Sequence, residues 1–128
     1  MQIPKNLLYT IEHAWVKVNR DLVLVGITDN LQEMLEEIEE INLPHKGDEL
    51  YIGDNCVSIV HPGGFYDLPS PLTGRVTKVN PALRNNPELA HSSPYKEGWL
   101  FEMEFDEPEE LEMLLDAATY LEEAEQEI

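Results

Sequence analysis

The chain has 128 residues, and 8 Lys and Arg against 26 Asp and Glu give a formal net charge of −18. With 42% hydrophobic and 27% charged residues, wholesale disorder is excluded and one domain over residues 1–128 is expected. The lone cysteine, Cys56, excludes a disulfide framework or CxxC site. No apolar run reaches the ~18 residues of a membrane helix, and the charge repels nucleic-acid phosphates, so neither partner is expected.

Pro and Gly fall between short apolar runs, which predicts many short strands. Residues 7–9 and 15–18 read as strands around a turn at Glu12-His13. Residues 22–27 (LVLVGI) are strongly β-forming. Thr28 or Asp29 then reads as an N-cap, and Leu31, Met34, Leu35 and Ile38 recur at helical spacing. Residues 55–60 read as a strand, His61-Pro62-Gly63-Gly64 as a turn, and residues 67–72, with Pro69 and Pro71, as an edge strand or irregular extension. Residues 75–79 and 99–105 complete the strands, with Trp99, Phe101, Met103 and Phe105 alternating onto one face. Residues 80–90 read as a loop with a helical turn at 87–90. Pro108 suits a first helical turn, and Leu111, Leu114, Leu115, Ala118 and Leu121 predict an amphipathic helix over residues 108–128. Residues 101–128 carry twelve acidic residues and no Lys or Arg, so its outer face is very acidic. Most such runs are solvated faces; docking to a basic partner is the alternative. The outline is mainly β with α additions, and it contains no obvious catalytic constellation.

The order of the motifs resembles the H protein family of the glycine cleavage system. LYTIEHAWVKV at 8–18, VGITDNLQEML at 25–35, LPHKGDEL at 43–50, PLTGRVTKVN at 71–80 and LEMLLDAATY at 111–120 each match a stretch of that family, nearly end to end. The resemblance implies a lipoyl-domain-like barrel-sandwich hybrid with a short internal helix and a C-terminal helix. It implies a monomeric carrier without catalysis of its own. In the family a hairpin lysine holds lipoyl by an amide, and the arm visits a pyridoxal-phosphate decarboxylase, a folate-dependent aminomethyltransferase and a flavin dehydrogenase.

The departures cluster where the arm belongs. Gapless counting from Cys56 to Gly74 puts the lipoyl-lysine position on Gly63, flanked by Val60, His61 and Pro62 and by Gly64, Phe65 and Tyr66, with the family's Asp retained as Asp67. No lysine lies between Lys46 and Lys78. The family's cleft-lining second Glu of Glu-His-Glu-Trp is Ala14, its histidine after the V-G-I-T-D stretch is Asn30, and its helix-ending Gly-Asp is Glu36-Glu37. A left-handed cap without glycine predicts a modified helix end. Lipoyl attachment is therefore not expected, and no cofactor is.

Candidate partner or cleft residues are His61, Phe65, Tyr66, Asp67, His13 and Asn30. Phe65 and Tyr66 are adjacent on a strand, so one of them points outward. Cys56, His61 and Asp67 include metal-ligand types, but the HPGG stretch is adopted as a plain hairpin turn and no metal is expected. Cys56 is read as a small buried residue and His13 as structural, near the cleft. The leading reading is a non-lipoylated paralogue that binds or regulates glycine-cleavage or lipoate-handling enzymes. The alternatives are a carrier with lipoyl at an atypical lysine and a module reassigned to a small ligand. The opening residues lack signal-peptide features, so a cytoplasmic location is expected.

Overall fold

A computed structural model describes residues 2–126. Strands β1 (Leu8–Tyr9), β2 (Ala14–Asn19) and β3 (Leu22–Ile27) lead into helix α1 (Asp29–Leu35). Then come β4 (Glu40–Asn42), β5 (Glu49–Leu50), β6 (Asn55–His61), β7 (Gly64–Pro69) and β8 (Gly74–Val79). Two single-turn helices, α2 (Ala82–Asn85) and α3 (Leu89–Ser92), precede β9 (Phe101–Phe105). A 3-10 segment at Pro108–Met113 and helix α4 (Ala117–Glu125) close the described chain.

The strands form a six-stranded sheet, β1-β2-β3-β9-β8-β5, and a three-stranded sheet, β4-β6-β7, antiparallel in every pairing. The sheets do not close into a barrel. The mainly β sandwich with added helices agrees with expectation. Apolar side chains, most of them β-branched, alternate inward from both sheets: Val16, Val25, Ile27, Phe101 and Met103 from one, Val57, Ile59 and Leu68 from the other, all in one buried core. Burying each such side chain contributes roughly 1.5–3 kcal/mol.

Glycine in the V-G-I-T-D motif has a steric cause. A Cβ on Gly26 would lie 2.3 Å from Cε2 of Trp15, whose buried ring donates through Nε1 to the Pro94 carbonyl at 2.9 Å. Gly74, at the start of β8, is as constrained: its Cβ would lie 1.9 Å from the Glu104 carbonyl oxygen.

Three expectations require correction. Helix α1 stops at Leu35, one turn short of Ile38. Glu36 takes φ +68 and ψ −61, and the Glu37 N–H donates to the Leu35 carbonyl at 2.8 Å, which makes a γ-turn of the positive-φ form. Ile38 reaches the core beyond that turn, so its helical spacing misled. Residues 108–128 are not one helix. The 3-10 segment comes first, and α4 starts only at Ala117, where the Asp116 side chain accepts from Thr119 N–H at 2.8 Å. Leu115 lies between the two and exchanges backbone hydrogen bonds with Tyr9 at 2.8 and 2.7 Å. Glu110 is not a solvated acid: its carboxylate accepts from Thr73 N–H and Thr73 Oγ1, both at 2.8 Å. Residues 127 and 128, the end of the expected helix, lie outside the described residues. Third, β7 starts at Gly64 and ends at Pro69, and Trp99 precedes β9 in a second cluster around Tyr9, Trp15 and Tyr120. As expected, β7 is an edge strand.

Candidate functional site

The β6–β7 hairpin is the region where the sequence departs most, and its geometry follows from its turn residues. His61 pairs with Gly64, so Pro62 and Gly63 form the whole loop. Proline fixes its own φ, Gly64 takes φ +130, and His61 Nδ1 accepts the Gly63 N–H at 3.2 Å. Pro62 and Gly63 are exposed. A Cβ on Gly63 would meet His61 Cε1 at 3.1 Å, a contact the ring relieves by a small rotation.

Along β7 the side chains alternate. Phe65 is 72% exposed, the most exposed large apolar residue among the described ones, and Asp67 is exposed on the same side. Tyr66 turns inward, and its hydroxyl donates to the Glu12 carbonyl at 2.7 Å. The hairpin is thereby tied to the turn at residues 10–13. Between them lies an open cleft of about 430 Å³, lined by Ile11, Glu12, His13, Met34, Tyr66, Glu123 and Gln126. Ala14 does not line it. It is fully buried in the main core.

The wall behind the cleft is a buried polar chain. His13 sits at φ +75 and is 3% exposed. Its Nδ1 is 2.6 Å from the Tyr120 hydroxyl, which is 2.8 Å from Thr28 Oγ1. The Asn30 amide donates to the same Nδ1 at 3.4 Å, which makes that nitrogen an acceptor. Tyr120 then donates to His13 and Thr28 donates to Tyr120, while Thr28 Oγ1 accepts Leu31 N–H at 3.2 Å and caps α1. Tyr120 also stacks on Tyr9 at 4.8 Å, and burial together with Tyr120 pushes the Tyr9 hydroxyl pKa upward. Buried chains of this kind hold one arrangement because each broken link strands a polar atom.

The structure thus brings His13 and Asn30 together behind the cleft, places Tyr66 between cleft and turn, and leaves His61, Phe65 and Asp67 on the hairpin. Tyr120 was missed as a site residue, although it closes the LEMLLDAATY motif. Cys56 donates to the Leu68 carbonyl at 3.5 Å, and burial pushes its thiol up to about 12, so it is a poor ligand and nucleophile. No group of three His, Cys, Asp or Glu among the described residues is placed to hold a metal.

The family model described as glycine cleavage H-protein matches residues 7–127. The chain belongs to that family. It is 41% identical over 120 residues to the glycine cleavage system H protein of Bacteroides fragilis, covering 94% of this chain and 95% of that protein. The Photorhabdus laumondii protein of the same name is 39% identical over 119 residues, covering 92% of each. The crystal structure of a glycine cleavage system H protein from Mycobacterium marinum superposes with a TM-score of 0.84 at 28% identity, covering 94% of this chain and 97% of that one. Proteins of this family carry lipoyl and have no catalytic activity of their own, so the chain is not an enzyme. No helix among the described residues is long and apolar enough to cross a membrane.

Proposed function

We propose that the chain is an H-protein-like module that does not carry lipoyl and instead binds or regulates glycine-cleavage or lipoate-handling enzymes, as a monomer in the cytoplasm. The observation that carries this reading is the β6–β7 tip. Its loop is Pro62-Gly63, and the hairpin holds no lysine. Amide attachment requires a primary amine, and glycine has no side chain to supply it. The five lysines are Lys5, Lys17, Lys46, Lys78 and Lys96, two of them within β2 and β8 and none on a hairpin tip between β6 and β7. The buried wall behind the cleft supports retention of the family scaffold, and the exposed Phe65 supplies an anchor of the kind protein interfaces use.

Calorimetric titration of the purified protein with the decarboxylase, the aminomethyltransferase and the lipoate-attaching enzyme of its own cell tests the reading. Saturable binding to one of them, weakened about tenfold by Phe65→Ala, is expected. Absence of binding to all three at high concentration sinks it.

A further inference from the structure

A second groove, of about 300 Å³, shares Ile11 and Glu12 with the first cleft and runs between the 10–13 turn, residues 52–53 and 69–71, and residues 113–115. Seven of its lining residues are apolar: Ile11, Ile52, Pro69, Pro71, Met113, Leu114 and Leu115. Ile11 and Met113 are 56% and 69% exposed, and Tyr51, next to Ile52, is 60% exposed. Exposed apolar side chains converging on a concavity mark an interaction site more than scattered ones do.

The walls are fixed. Leu115 is held by its two backbone hydrogen bonds with Tyr9, and the Ile52 N–H donates to Thr73 Oγ1 at 3.1 Å. That same hydroxyl donates to Glu110, which anchors the 3-10 segment bearing Met113. A groove tied on both sides needs little ordering to receive a partner. Its charge is of one sign. Glu12 lines it, the exposed Asp54 and Glu112 adjoin lining residues in sequence, and neither the lining residues nor their chain neighbours include Lys or Arg.

We infer that this groove receives a basic protein segment that inserts one large apolar side chain between flanking Lys or Arg residues. The apolar floor takes the anchor, the acidic rim takes the cations, and the flexible Met113 adapts to the anchor's shape. The volume suits one or two side chains and is small for a cofactor-sized ligand. This deepens the binding-module reading by naming the partner's chemistry, and it rests on that reading.

The test uses a synthetic peptide with two leucines flanked on each side by two Lys or Arg residues, titrated into isotope-labelled full-length protein and followed by NMR. A second peptide has Glu in place of every Lys and Arg. Shifts centred on Ile11, Ile52 and residues 113–115 are expected with the basic peptide alone. Ile11→Ser with Met113→Ser should weaken binding at least tenfold, whereas Val18→Ser, an exposed apolar site in β2, should leave it unchanged. Shifts centred on the acidic face of α4, or equal affinity of the double variant and Val18→Ser, overturn the inference. Because the probe is a peptide, that failure is distinct from a failure to bind the whole glycine-cleavage enzymes.

Discussion

At the seam between the 10–13 turn and α4, Tyr120 is 1% exposed, stacks on Tyr9, and bonds both His13 and Thr28. At the β6–β7 tip, Pro62 and Gly63 are exposed and the turn is braced by the Gly63 N–H to His61 contact. The seam's His13 and the hairpin's Tyr66 line the same cleft. The seam's residues are each fixed by several neighbours, so a change at any one of them disturbs the others. The tip needs only a residue pair that can turn, so side-chain changes there cost the fold little. The proposed reading, a scaffold without an arm, rests on this difference: the hairpin holds no lysine, and nothing in the seam depends on one there.

The largest effect should come from crowding the seam's aromatic cluster. Gly26→Ala drives a Cβ into the pinned Trp15 ring and should cost ~3 kcal/mol or more in urea denaturation. A loss under ~0.5 kcal/mol would show that the seam yields as readily as the tip. Tyr120→Phe keeps the stack but removes the hydroxyl bonds to His13 and Thr28, and should cost about 2 kcal/mol by the same measurement. Glu36→Gly relieves the positive-φ turn at the end of α1 and should stabilise by ~1 kcal/mol, read as a raised Tm. Gly63→Ala at the tip should stay within ~0.5 kcal/mol of the parent.

The smallest effect concerns pH. The Thr119 backbone N–H holds the Asp116 carboxyl below its ordinary pKa. A carboxylate lowered on folding adds stability above its unfolded pKa, and that stability is lost as pH falls through the folded value. Asp116→Asn keeps the cap and removes the titration. Its stability should therefore fall less steeply under acid than the parent's, in denaturation series run from neutral pH downward.

The long alternating strands were legible in the sequence, because β2, β3, β6, β8 and β9 carry their own pattern of β-branched and aromatic residues. So was Thr28, whose side chain caps α1 as read. Strands β4 and β5, of three and two residues, were not legible, since they exist only through pairing with β6 and β8. Leu111, Leu114 and Leu115 fall at helical spacing yet serve a 3-10 segment and a bridge to Tyr9. Hydrophobic period records burial and is silent about which backbone delivers it. At the site, the turn, one outward aromatic in the Phe65-Tyr66 pair and a structural His13 near the cleft could be read from the sequence; which aromatic faces out could not, because the Tyr66 partner lies at Glu12. The role of Tyr120 could not, because its partners lie 107 and 92 positions away.

The central claim is that this scaffold stands without an arm, and intact mass spectrometry of the protein after incubation with lipoate, ATP and a lipoate-attaching enzyme tests it most directly. A lysine-bearing H protein modified in the same tube is the control. The account predicts an unchanged mass for this chain. A lipoyl increment that maps to Lys5, Lys17, Lys46, Lys78 or Lys96 would contradict it and make the chain a carrier at an atypical site.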